Sequence, residues 1–204
     1  MIDIAKGDTV MIIDISQEIL GCEVYPGDPQ PKAEKHMDMG KGDLYNLSAF
    51  YMGAHNGTHI DAPAHFIKDG KTVDQLPAES FVGSCYVARH SGDVGENDAI
   101  AIMKKAETAG AADRILIAGD AVVTLEAAKV FASCGIKLIG NESQSVGPLN
   151  APMAVHKVLL EKEIVLLEGI VLKDVREGKY FLSALPLNIK GIEGSPCRAY
   201  LIKD

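Results

Sequence analysis

The chain has 204 residues, of which 47% are hydrophobic, with a formal net charge of −8 and a sequence pI of about 5.2. That length suits one sizeable core and is short for two, so a single domain over residues 1–204 is expected. The acidic balance argues against a phosphate-backbone partner and offers no basic patch to anionic lipid, so neither nucleic acid nor membrane is an expected partner.

The first stretch, MIDIAKGDTVM, has neither the basic start nor the continuous apolar run of a signal peptide. No apolar run approaches the roughly 18 residues of a spanning helix, so a cytoplasmic location is expected. Residues 9–15, TVMIIDI, read as a β-branched strand, with a turn or short continuation over 16–19. VYPGDPQP, 24–31, holds three prolines and Gly27 and reads as an ordered loop. Residues 32–43 are polar and lysine-rich, with His36 expected in solvent; 45–54 read as a strand leading into HNGTHIDAPAHF, 55–66.

That segment gathers three of the six histidines and an aspartate. Every second residue from His55 gives His55, Gly57, His59, Asp61, Pro63 and His65, so an extended backbone turns all four candidate ligands to one face. A helical pairing of His55 with His59 is opposed by Gly57 and Pro63. A straight strand would hold the Cα atoms of His55 and His59 about 13 Å apart, too far for one ion bonded at about 2 Å, so a bend at Gly57 is expected. Imidazole and carboxylate without cysteine suit a divalent ion such as Zn or Mn. Cys22, Cys85, Cys134 and Cys197 are far apart with no CxxC, and read as reduced thiols used in packing.

Beyond the motif, Asp69–Gly70 marks a turn, Pro77 stops what precedes it, and 84–90 read as a strand. A helix is predicted over 97–111, stopped by Gly110; a buried strand over 114–119; a helix over 124–134 with Thr124 as N-cap; and a buried strand over 136–140. This order has the form of a parallel crossover, and such units place ligands at the carboxyl ends of their strands, which singles out 141–145, NESQS. Asn150 and Pro152 open a helix through 152–163 carrying His156, and 163–169 return as a strand carrying Glu168 near its end. Helix and strand can therefore bring His156 and Glu168 together. Two further strands, in 179–187 and 195–202, close the sheet. The expected class is α/β, a mixed β-sheet or barrel-like core flanked by helices. A Ser or Cys nucleophile has little support, since there is no G-x-S-x-G elbow.

His55, Gly57, Thr58, His59, Asp61, Pro63, His65 and Phe66 resemble the HxGTHxDxPxHF signature of the cyclase family of metal-dependent hydrolases, which includes bacterial kynurenine formamidase. The similarity extends to DIS at 14–16, YPGDP at 25–29, KLIG at 137–140, HKVLLEKEIVLLEG at 156–169, ALPL at 184–187 and GSPCRA at 194–199. The resemblance implies a swivelling β/β/α fold and one or two divalent ions, Zn or Mn. One ion would be held by His55, His59 and Asp61, and a second by His156 and Glu168 with Asp61 as bridge. His65 would be the general acid or base, or would complete the coordination sphere. Asn56 and Thr58 would support ligands, and Tyr25 would contact substrate. The implied reaction is hydrolysis of a C–N amide or formamide bond by metal-activated water, in a homodimer or homotetramer. Lactone or isatin-type cyclic-amide hydrolysis, and a non-catalytic metal-binding module, stand as alternatives. The chain departs from the family pattern at Glu142, where Asp is usual, and at Ala118, where a larger polar residue is usual. It has no Trp, so the aromatic walls for an aryl substrate must come from few positions such as Tyr25, Tyr45, Phe50 or Tyr51.

Overall fold

The computed structural model describes residues 10–203. In chain order the elements are β1 (Met11–Asp14), β2 (Lys32–Met37), β3 (Leu47–Tyr51), β4 (His59–Asp61), β5 (Val82–Arg89), β6 (Gly92–Val94), α1 (Glu96–Thr108), β7 (Arg114–Ala118), β8 (Ala121–Val123), α2 (Leu125–Cys134), β9 (Leu138–Asn141), α3 (Met153–Leu160), β10 (Val165–Glu168), β11 (Gly178–Ser183), β12 (Gly194–Pro196) and β13 (Tyr200–Lys203). Nine strands make one mixed sheet in the order β1-β13-β11-β5-β7-β9-β10-β4-β12, whose middle strands β5, β7, β9 and β10 run parallel. Helices α1, α2 and α3 are the three successive crossovers between these parallel strands.

The near-continuous apolar sequence of the middle strands follows from burial on both faces. Successive side chains of a strand point to opposite faces. In β7, Ile115 and Ile117 join Ala106, Phe131 and Leu159 on the helix side, whereas Leu116 and Ala118 join Val87, Leu182 and Leu201 on the other. The amphipathic helices close the first face, and α2 begins where Thr124 Oγ1 accepts a hydrogen bond from Ala127 N at 3.3 Å.

The sheet is curled, and chain length alone requires it. β12 and β13 lie at far-apart places in the strand order yet are joined by Cys197, Arg198 and Ala199 only. Seven flat inter-strand spacings would span about 34 Å, whereas four residue steps reach at most about 15 Å. Across the gap Val171 N donates to Ile15 O at 2.8 Å, while Ile15 N to Ala199 O and Cys197 N to Thr58 O, both 3.0 Å, extend the β1–β13 and β12–β4 pairings into the short connection.

The structure redraws several stretches. The strand predicted over 195–202 is two strands on opposite sides of the curl. The polar stretch 32–43 contains β2, which pairs with β3 in a ribbon separate from the large sheet. Both of its strands are almost wholly exposed, so no hydrophobic alternation marks β2. Of the strand predicted over 9–15, Met11–Asp14 is observed, and Thr9 lies outside the described residues. All four cysteines are free thiols; Cys85 is buried, but Cys134 is exposed rather than packed. Among the described residues no helix is long and apolar enough to cross a membrane.

Candidate metal centre

Gly57 adopts φ +63, the left-handed conformation open to a residue without a side chain, and bends the chain immediately before β4. The expected bend is there, but extended backbone runs only from His59 to Asp61. His55 sits in the turn before it, and His65 ends a 3-10 turn, Pro63–His65, after it. Proline lacks an N–H and fits the first position of such a turn, so Pro63 ends the strand. A strand continued through His65 would carry it about 33 Å from His55. The two bends instead stack the rings, with centroids 4.1 Å apart.

The loop is pinned from behind. Thr58 Oγ1 donates to Gly169 O at 2.6 Å and accepts from Gln17 N at 2.9 Å, while Asn56 Oδ1 accepts from Gly53 N at 2.6 Å. These two residues fix the backbone that carries the imidazoles. Antiparallel pairing of β4 with β10 then sets Glu168 directly opposite His59. The α3 crossover into β10 delivers His156 to the same place.

All five residues predicted as ligands are brought together. His55 Nδ1 lies 2.7 Å and His59 Nε2 3.3 Å from Asp61 Oδ1. His156 Nε2 lies 3.2 Å from Glu168 Oε1 and 3.6 Å from Asp61 Oδ2, and His59 Nε2 is 3.5 Å from Glu168 Oε2. The ligand atoms of His55, His59 and Asp61 fall within 4.8 Å of one another, as do those of Asp61, His156 and Glu168. Backbone carbonyls fix two of the rings: His59 Nδ1 donates to Gly57 O at 2.9 Å and His156 Nδ1 to Pro152 O at 3.0 Å. A carbonyl can only accept, so Nδ1 carries the proton and Nε2 is the atom turned to the carboxylates.

The donor set fits a divalent cation. Asp61 is fully buried, and its Oδ2 has no hydrogen-bond partner among the described residues although it lies between two groups of imidazoles. A buried carboxylate oxygen left so is costly unless a cation meets it. The field of the site says the same. Burial opposes a charge on His59 and His156, yet the Asp61 and Glu168 carboxylates beside them overcome it and raise both to about 10. Burial likewise opposes ionisation of Asp61, and the His156, His55 and His59 imidazoles around it outweigh that penalty, holding the carboxyl well below its usual range.

His65 is set apart. Its Nε2 is 4.0 Å from Asp61 Oδ2, and burial pushes its pKa below the ordinary imidazole value. It lines a cleft of about 220 Å³ together with Tyr25, Phe66, Gln144, Ser145 and His156. Tyr25 reaches this cleft, and its hydroxyl donates to Leu149 O at 2.8 Å. Phe50 and Tyr51 do not; they ride on the β3 ribbon and border a separate hollow with Ile19 and Leu20, and Tyr45 is 53% exposed.

Glu142 is also outside the centre. Its carboxylate accepts from Gly119 N at 2.6 Å and Leu172 N at 2.7 Å, joining strand ends. The motif reading missed Glu193, whose Oε1 is 3.3 Å from His55 Nε2, and Gly194, where a Cβ would collide with the His55 ring. Nothing local marks either: they arrive through the pairing of β12 with β4. Asp28, Gln144 and Ser145 also line the cleft, the last two within the 141–145 segment that the carboxyl-end rule singles out.

Residues 13–148 match the family model described as "Putative cyclase". A kynurenine formamidase of Erythrobacter litoralis is 35% identical over 204 aligned positions, covering 93% of each chain. The solved structure of a potential metal-dependent hydrolase with cyclase activity superimposes with a TM-score of 0.80 at 26% identity, covering 96% of this chain and 99% of that one. Isatin hydrolase A of Labrenzia aggregata shares the fold with a TM-score of 0.75 at 21% identity, covering 95% of this chain and 93% of that one.

Proposed function

The chain belongs to the cyclase family, and on that premise we propose that it is a metal-dependent hydrolase that cleaves a C–N amide or formamide bond. The observation that carries this reading is Asp61, a fully buried carboxylate shared by both ligand groups, with one oxygen lacking any hydrogen-bond partner among the described residues. His55, His59 and Asp61 would hold one ion, and His156 and Glu168 a second, with Asp61 common to both. When bound, such ions bring the pKa of a bound water towards neutrality and polarise the carbonyl under attack. Zn and Mn both suit imidazole and carboxylate donors.

The remaining work belongs to side chains of this protein. His65, uncharged at neutral pH because burial lowers its pKa, accepts a proton at one ring nitrogen and returns it to the departing amine. Tyr25, anchored by Leu149, presents a flat face to the substrate, and Phe66 packs against the His156 ring at 4.8 Å and keeps water from that side. The identified relative is a kynurenine formamidase, so an aryl formamide is the first substrate to try. We place the protein in the cytoplasm as a homodimer or homotetramer acting on a small molecule.

The test is a screen of metal-reconstituted protein against N-formylkynurenine, simple aryl formamides, cyclic amides such as isatin, and lactones, with chelated protein as control. Hydrolysis that needs Zn or Mn is expected. Metal uptake without turnover on any substrate would favour a metal-binding module, and activity that survives chelation would overturn the mechanism.

A further inference from the structure

His55 differs from two other imidazoles of the centre in the nitrogen it turns inward. His59 and His156 give Nδ1 to a backbone carbonyl and face the carboxylates with Nε2. His55 is reversed. Its Nδ1 lies 2.7 Å from Asp61 Oδ1, the same oxygen that is 3.3 Å from His59 Nε2, so these three atoms converge. Its other nitrogen, Nε2, is turned to Glu193 Oε1 at 3.3 Å.

An imidazole that binds a cation through one nitrogen carries its proton on the other, and the partner of that second nitrogen sets the tautomer and the orientation of the ring. For His59 and His156 the partner is main chain. For His55 the fold supplies a carboxylate, and holds it in place. Glu193 directly precedes β12, whose register sets Gly194 opposite Asp61. Ala62 N donates to Glu193 O at 2.8 Å and Val73 N to Ile192 O at 3.0 Å, so the backbone carrying Glu193 is tied to the residue after Asp61 and to a turn beyond it. Gly194 admits the ring, since a Cβ there would collide with His55 Cε1, the carbon between the two nitrogens. That edge of the imidazole therefore lies along the start of β12, with Asp61 at one nitrogen and Glu193 at the other. An ionised carboxylate only accepts, so a proton shared with Glu193 sits on His55 Nε2.

We infer that Glu193 is a positioning residue of the metal centre: its carboxylate takes the Nε2–H of His55 and commits that imidazole to hold the ion through Nδ1, the opposite nitrogen to that used by His59 and His156. This rests on the metal-dependent reading above and gives one of its ligands a carboxylate of its own. Outer carboxylates of this kind make the ring a better donor and hold it in the binding orientation.

The experiment reads bound zinc rather than turnover. In zinc-loaded protein with ¹⁵N-labelled histidine, NMR of the ring nitrogens should show His55 bound through Nδ1 and protonated at Nε2, with His59 and His156 the other way round. Zinc on His55 Nε2, or no proton there, would overturn the inference. Zinc affinity, measured by competition with a chelator, should fall by about 10- to 100-fold in Glu193→Leu. Glu193→Gln, whose amide oxygen still accepts from Nε2–H, should stay within about threefold of the wild type. Unchanged affinity in Glu193→Leu would overturn the role of Glu193. So would an equal loss in both variants, because a loss indifferent to the acceptor belongs to the charge and not to the hydrogen bond. The Glu193 side chain is 44% exposed, so leucine there leaves no buried hole; should that variant fail to fold, the ring-nitrogen assignment in the wild type decides alone. Zinc held in this way without turnover on any substrate ends the hydrolase reading and leaves the role of Glu193 standing, whereas a wild type that takes up no zinc ends both.

Discussion

Two glutamates stand at the same edge of the sheet, Glu142 just past the end of β9 and Glu168 at the end of its neighbour β10, and their fates differ. Both oxygens of Glu142 are taken by backbone amides, those of Gly119 and Leu172. Glu168 gives one oxygen to Val146 N and turns towards His156 and His59. The first carboxylate sews strand ends together, and the second joins a cluster of imidazoles. What separates them is neither residue type nor exposure of a loop but the lone pairs left over once neighbouring N–H groups are served. A ligand is a donor atom that the fold has not already used.

The sharpest way to break this contrast is at the carboxylate both groups share. Asp61→Ala should abolish metal binding and turnover together, read by elemental analysis and by rate. His65→Ala should retain most of the metal and lose about 10²- to 10⁴-fold in kcat, the usual worth of a general acid or base. Equal metal loss in the two variants would refute the division of roles.

A smaller effect is expected from Gly194→Ala. The added methyl would occupy the space of the His55 ring, which is not the yielding end of a flexible chain. Displacing that one ligand should weaken metal binding by about 10- to 100-fold, comparable to losing a group that orients a ligand. Unchanged affinity by metal titration would show that His55 is not a ligand.

Protonation offers a test without substitution. In chelated protein His59 and His156 have pKa values raised to about 10, because the adjacent Asp61 and Glu168 carboxylates overcome burial. A raised folded-state pKa gives stability that is complete below the unfolded imidazole value and lost as pH rises through the folded one. The melting temperature of chelated protein should therefore fall between about pH 6.5 and pH 10, while metal affinity rises over the same interval as bound protons are displaced. A melting temperature of chelated protein that stays level across that interval would show that the imidazoles are not held protonated by the carboxylates.

The smallest change, and the complement of the first, is Glu142→Ala. Two charge-assisted hydrogen bonds disappear from a half-buried position, worth about 2–3 kcal/mol together, or a melting temperature lower by about 5–10 °C. Metal content should be unaltered. Loss of metal in this variant would erase the contrast between the two glutamates.

Much of the site was legible because its densest part is local. His55, Gly57, His59, Asp61 and His65 lie within eleven positions, and the need to bend at Gly57 followed from bond lengths alone. The parallel crossover was legible because helical and strand periodicities alternate between 114 and 140. Elements without such a signature were not. β2 has no buried face to impose alternation, and the tail strand 195–202 divides at a place where only the curl of the sheet demands it. Phe50 and Tyr51 have the composition of an aromatic wall, yet their ribbon leaves the large sheet and carries them to another hollow.

The amino-acid order by itself determined which atoms are available for a cation, the α/β alternation, and the bend that Gly57 permits. Only tertiary structure decided which of those atoms remain free: that Glu168 faces His59 across an antiparallel pair, that Glu142 is spent on amides, and that Glu193 and Gly194 frame His55 from the far end of the chain. The physical reason is that spacing fixes what neighbours along the backbone can reach, whereas the partners of a buried lone pair come from whichever strands the sheet lays beside it.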